Sequence, residues 1–330
     1  MGLKLNRIFD ALSPVHAAPD QVVYSVGRIA RFADYLVGRD GGGYACLLIS
    51  VANPDGHRPA PMRLAHLEAD FEVRSRVTEE IRSAEGTFTV LRCKSNDGEV
   101  IRHFFGIAEA FIQILGAKPT KAAIGEAVVQ FARIFQRLVA PPIRPVSGLF
   151  GELFLIQKCR NPMKALTSWR VQESSRFDFV AGDLRLDVKV VSGRARIHNF
   201  SYDQCNPPAG TSAFVASLFA EVTATGISLR ELVEKIEAVV SGRTELVIKL
   251  YETVAATLGT GLQEGMKVRF DDKLAASSLR LFDLRLVPAI RNALPPGVSD
   301  LHFRSDLSNS PEILIRALID REPAIEDFIP

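Results

Sequence analysis

Residues Phe177 to Lys189 read Phe-Asp-Phe-Val-Ala-Gly-Asp-Leu-Arg-Leu-Asp-Val-Lys, two short apolar runs hinged on Gly182-Asp183. A pair with glycine first suits a two-residue hairpin turn. Counting outward from that turn sets Ala181 opposite Leu184 and Asp178 opposite Asp187. Side chains alternate along a strand, so Lys189 shares the face of Asp187. The register therefore gathers two carboxylates and one ammonium on one side of a hairpin. Like charges directly opposite each other destabilise a sheet. A divalent cation is the simplest group to offset them, and a few carboxylates suit Mg²⁺. A lysine beside it would stabilise charge developing on a phosphate and position water. The plainer alternative is a solvated hairpin face with ordinary charges.

Upstream lies Ser147-Gly148-Leu149-Phe150-Gly151-Glu152-Leu153-Phe154-Leu155-Ile156. Leu149, Leu153 and Ile156 recur at helical spacing. Glu152 is the single acid of that helix, and burying it is costly unless it is paired or metal-bound. A surface Glu between apolar neighbours is the competing reading. Downstream, Arg194 to Phe200 reads as a third strand, followed by Ser201-Tyr202-Asp203-Gln204.

The order of an Asp, then an (Asp or Glu)-X-Lys on the adjacent strand, resembles the PD-(D/E)XK nuclease superfamily. Within it, the chain resembles the group called simply PD-(D/E)XK motif proteins, found in bacterial restriction and phage-defence neighbourhoods. The landmarks are Gly148 to Leu153, Trp169, Phe177-Asp178-Phe179, Asp187-Val188-Lys189 and Ser201 to Gln204. The helix at Ser228 to Val233 and the Leu294-Pro295-Pro296-Gly297-Val298-Ser299 segment before a final strand also fit. The resemblance implies an α/β (α+β) fold with a restriction-endonuclease-like core, a mixed sheet flanked by helices. It implies a Mg-dependent DNA endonuclease, with Mg (or Mn) held by Asp178, Asp187 and Glu152. Lys189 would be catalytic and Gln204 an auxiliary polar contact. DNA would be the substrate. A MutL/MORC-like ATPase, a helicase and a DNA methyltransferase of the same system would be partners. Relatives usually carry Glu where this chain has Asp187, one methylene shorter, which leaves open a catalytically inactive nucleic-acid-binding or assembly module on the same fold. A third reading is a structural subunit that docks partner proteins.

Charge is informative locally. The chain as a whole carries only +2, but residues 151–200 hold nine Lys/Arg against five Asp/Glu, a balance of +4. Carboxylates inside a basic surround suit a polyanion and a cation together. Arg176, Arg194, Arg196 and His198 are the candidate DNA contacts, with His198 read by preference as the end of a strand. Trp169 reads as a core or rim aromatic in preference to a stacking platform. No apolar run approaches membrane-spanning length and the N-terminus has no secretory pattern, so a cytoplasmic location is expected. Cys46, Cys93, Cys159 and Cys205 are scattered without metal-binding spacing. None of the six histidines (His16, His57, His66, His103, His198, His302) forms an H-X-X-X-H pair. Gly259 to Lys267 lacks Walker spacing.

The chain is expected in three parts. Residues 1–145 form a β-rich domain with closing helices, in which 44–49, 88–93 and 100–105 read as strands. Asp97-Gly98 reads as a hairpin turn, with helices at 107–116 and 120–139. Pro141 to Pro145 marks a boundary. The nuclease-like core spans 146–262, with helices at 228–240 and 243–258. A small β extension covers 263–330, with strands expected at 266–270 and 279–284.

Overall fold

The computed structural model describes residues 3–15, 22–51, 58–80, 82–170 and 175–330; His16 and His57 lie outside them. The chain forms two compact units, Met1–Ile143 with Ser241–Glu264, and Arg144–Val240 with Gly265–Pro330. The fold is α+β, with mixed sheets.

The first unit begins with the short helix α1 (Leu5–Asp10) and six strands: β1 (Val23–Arg28), β2 (Tyr35–Asp40), β3 (Ala45–Ser50), β4 (Met62–Arg63), β5 (Leu67–Glu79) and β6 (Arg82–Cys93). They run β1-β2-β3-β6-β5-β4, and β1 also pairs with β5, so the sheet closes on itself. Tyr24, Val26, Leu48 and Val90 fill its interior. Two helices follow, α2 (Gly98–Leu115) and α3 (Lys121–Arg137). The strand expected at 100–105 and its Asp97-Gly98 turn are corrected here. Asp97 instead caps α2, its Oδ1 accepting from Glu99 N and Val100 N. Asp-Gly suits a helix start as well as a hairpin, and a short apolar run has no decisive period.

The second unit opens with α4 (Val146–Lys158), α5 (Pro162–Ser168) and the hairpin of β7 (Phe179–Ala181) and β8 (Leu184–Val191). Then come β9 (Ile197–Ser201), the single turn α6 (Tyr202–Cys205), β10 (Ser212–Phe219), β11 (Val222–Ser228) and α7 (Leu229–Val240). The chain next returns to the first unit for α8 (Thr244–Leu258), which packs on α2. Gly106 on α2 makes that approach possible, because a Cβ there would lie 2.2 Å from Tyr251 Oη. Finally α9 (Leu262–Lys267), β12 (Arg269–Phe270), α10 (Asp272–Ser278), β13 (Arg280–Asp283), β14 (His302–Asp306) and α11 (Ile315–Arg321) complete the described elements with a 3₁₀ turn at Pro323–Phe328. Only the end of the strand expected at 266–270 forms, since Met266 and Lys267 close α9.

The main sheet of the second unit runs β13-β10-β8-β7. β8 and β10 are parallel, and the outer pairs are antiparallel. β13 thus completes the sheet edge and β14 pairs with β9, so residues 265–330 belong to this unit and form no separate extension. The core between these elements holds Phe177, Phe200, Val215, Phe282 and Leu307. α4 backs β8: a Cβ on Gly151 would lie 2.3 Å from Val190 Cγ2, so glycine lets helix and strand approach. All four cysteines are buried and free. No helix among the described residues is long and apolar enough to cross a membrane.

Candidate active site

The hairpin places its carboxylates as the count around the turn requires. Gly182 takes φ +58, which the first turn position demands, and Ala181 pairs with Leu184 and Phe179 with Leu186. Asp178 stands one residue before β7, in line with Asp187 on β8. Both are 4% exposed. Asp178, Asp187 and Lys189 line one cleft of about 410 Å³ with Arg144, Arg176 and Gln204. Its far wall comes from β9 and the start of β14, including Asn199 and His302.

Each carboxylate is held by donors. Asp178 Oδ2 accepts from Val188 N at 2.9 Å, and Oδ1 from Arg144 Nη1 at 2.9 Å. Asp187 Oδ1 accepts from Gln204 Nε2 at 3.0 Å. Gln204 also donates to Arg176 O, while its Oε1 takes the Ser201 N–H in a capping box around α6. Its three partners hold it rigidly against Asp187. Asp187 Oδ2 lies 2.9 Å from Lys189 Nζ as an ion pair, but this buried oxygen accepts no aligned hydrogen bond. The ammonium also stands 5.2 Å from the Phe200 ring centroid.

Glu152 is buried at 2% exposure and lies behind Asp178, off the cleft wall. Trp169 Nε1 donates to Oε2 at 2.5 Å and Arg170 Nη2 to Oε1 at 2.6 Å. Arg144 Nη1 is 3.6 Å away. Helix α4 therefore brings Glu152 next to Asp178, but as the anchor of Trp169 and Arg170. The expected third ligand thus lies off the cleft lining, with both oxygens taking cationic or indole donors. The repulsion expected between Asp178 and Asp187 is likewise offset from within, by Arg144 and Lys189.

The basic residues divide. Arg176 is on the cleft, 60% exposed and 3.1 Å from Asp203. Arg194 is 67% exposed and pairs with Glu221, away from the cleft lining. Arg196 turns inward, donating to Ser217 O, Ser217 Oγ and Ser278 O, over the Phe219 ring. His198 is 3% exposed and shares a 2.8 Å hydrogen bond with Ser217 Oγ. Burial first, then Lys189 and Arg196, push its pKa down to about 4, so it is neutral and structural. Arg196 and His198 thus bond within the unit, off the cleft lining. Trp169 is fully buried, a core aromatic as expected.

Sequence reasoning missed Arg144, Arg170, Asn199 and His302. Arg144 sits in Pro142-Ile143-Arg144-Pro145, and its fixed position just before α4 was the available signal. Arg170 adopts a left-handed backbone, φ +41, unfavourable for a side chain and a mark of functional or packing constraint.

Burial is the largest cause raising the pKa of Asp187; Lys189 opposes it and Asp178 adds to it. Burial likewise raises Glu152, with Asp178 adding and Arg170 opposing. A carboxyl raised on folding binds more protons folded than unfolded, so its contribution to stability falls as pH rises between the two values. Replacing Asp187 by Asn removes that cost. The Tm difference between Asp187→Asn and wild type, in metal-free buffer, is expected to shift toward the variant as pH rises from about 4 to about 7. A difference constant with pH would mean that Asp187 ionises as easily folded as unfolded.

Among the described residues no three His, Cys, Asp or Glu side chains converge as a ready metal cluster. Two carboxylates nevertheless fit Mg²⁺, which keeps water and phosphate in its other positions. Asp178 and Asp187, which line one cleft, are the carboxylates such an ion would take, with Lys189 Nζ 2.9 Å from Asp187 Oδ2. The second unit's mixed sheet thus presents Asp178 and Asp187-Val188-Lys189, with Glu152 on the helix behind it. Over residues 5–308 the chain matches the family described as "Putative PD-(D/E)XK family member, (DUF4420)", and it belongs to that family. No curated protein and no solved structure matches it.

Proposed function

We propose that the chain is a metal-dependent nuclease that hydrolyses DNA phosphodiesters within a bacterial restriction or phage-defence system. The observation that carries this reading is the buried Asp187 Oδ2. It lies 2.9 Å from Lys189 Nζ, its ion-pair partner, and its carboxylate lines one cleft with Asp178. Asp178 and Asp187 would hold Mg²⁺ or Mn²⁺, which when bound supplies Lewis-acid stabilisation of the phosphoryl oxygens. Lys189 orients water and stabilises the charge that builds on the phosphate. Gln204 keeps Asp187 aimed at the cleft. Arg176, and Arg194 further out, neutralise flanking phosphates.

One observation favours a second reading. Glu152, Asp178 and Asp187 are already matched by Arg144, Arg170 and Lys189, so the site is balanced without metal. A nucleic-acid-binding module without catalysis would need nothing more. Supercoiled, linear and single-stranded DNA incubated in Mg²⁺, Mn²⁺ or EDTA separates the two. Cleavage is expected with metal only, and is expected to vanish in Asp187→Asn. DNA binding by wild type with no cleavage in any condition would favour the module.

A further inference from the structure

Arg144 differs from the other cations that neutralise this site. Its side chain is 41% exposed, against 12% for Arg170 and 21% for Lys189. It lines the cleft, donates to Asp178 Oδ1 at 2.9 Å and stands 3.6 Å from Glu152 Oε1. Neither carboxylate depends on it for position. Asp178 keeps the Val188 N–H on its other oxygen, and Glu152 keeps Trp169 and Arg170. Arg144 is thus the exchangeable member of the set.

A divalent cation at Asp178 and Asp187 would face the guanidinium across a single carboxylate. A like charge at that range weakens metal binding on the order of tenfold or more at the effective dielectric of a protein site. A guanidinium cannot escape by losing its proton, but it can leave for another anion. Its planar fork matches the two free oxygens of a phosphodiester, and such pairs are short and strong. The polyanion that the cleft would receive supplies that anion beside the carboxylate being vacated.

The geometry points to Arg144 as the exchange cation of the site. It neutralises Asp178 in the metal-free protein, then turns onto a backbone phosphate of the nucleic acid once a divalent cation occupies the carboxylate. This rests on the nuclease reading above. It couples metal and substrate, because each is accommodated better when the other has drawn Arg144 to its new place.

The test is Mn²⁺ titration calorimetry on the full chain, wild type beside Arg144→Ala and Arg144→Lys. DNA affinity is then measured in EDTA and in Mn²⁺, using Asp187-intact proteins whose melting temperatures have been checked. Arg144→Ala is expected to bind Mn²⁺ about tenfold more tightly, and to lose most of the gain in DNA affinity that Mn²⁺ gives wild type. Arg144→Lys, which keeps a charge without the fork, is expected to fall between. Equal Mn²⁺ affinity in wild type and Arg144→Ala would overturn the exchange while leaving the metal site standing. Tighter Mn²⁺ binding with an unchanged DNA response would overturn the phosphate contact. Absence of Mn²⁺ binding in all three proteins would overturn the metal site itself, and the exchange with it.

Discussion

Replacing Lys189 by Ala is expected to slow metal-dependent DNA cleavage by roughly 10²-fold or more, the scale of one preorganised electrostatic group. The ammonium is preorganised here. It is held 2.9 Å from Asp187 Oδ2 and over the Phe200 ring, so little reorganisation is needed as phosphate charge builds. DNA affinity is expected to fall far less, because exposed cations such as Arg176 and Arg194 contribute independently and modestly. Lys189→Arg should not restore the rate fully, since a planar guanidinium cannot fill the place of a compact ammonium between a carboxylate and a ring. Asp187→Glu is the complementary variant: it extends the carboxylate by one methylene and tests whether the shorter reach of Asp187 limits the rate. Steady-state cleavage and filter binding on the same preparations separate the two effects. Cleavage unchanged in Lys189→Ala would refute the assigned role.

The hairpin was legible because everything that fixes it is local. Gly182-Asp183 sets the turn, and alternation carries Asp178, Asp187 and Lys189 to one side without any long-range knowledge. Gln204 was reachable through its segment, although its bond to Asp187 spans two elements. The partners of the carboxylates were not legible. Arg144 meets Asp178 from 34 residues away, and nothing between them encodes that meeting. Counting cations between 151 and 200 gave the sign of the neighbourhood but not the direction of each side chain. Arg196 spends its donors on backbone and hydroxyl groups inside the unit, and Arg176, an equal member of the count, reaches the cleft. The return of β13 to β10 and of β14 to β9 is likewise non-local, so a C-terminal stretch that reads as an appendage completes the sheet. Asp97-Gly98 shows the converse limit: a local signal shared by two structures, decided by which apolar face finds a partner.

Glu152 provides the second large effect. Glu152→Ala is expected to cost about 3–5 kcal/mol of stability, the range for removing one partner of a buried ion pair. The carboxylate is the shared acceptor of Trp169 Nε1 and Arg170 Nη2, and Arg170 is itself only 12% exposed. Truncation would leave a buried indole N–H without an acceptor and a guanidinium largely withdrawn from water, each costly. Part of the measured loss would be relieved because the wild-type carboxylate is itself raised by burial. Glu152→Gln keeps the shape and one acceptor oxygen, and is expected to lose less. The decisive comparison is urea unfolding with EDTA against Mg²⁺. An anchoring role predicts the same loss in both, since the Trp169 and Arg170 contacts exist without metal. A metal ligand would show its loss only in Mg²⁺, through the state that binds the ion. Equal stability of wild type and Glu152→Ala in EDTA would therefore return Glu152 to the metal and remove it from the scaffold.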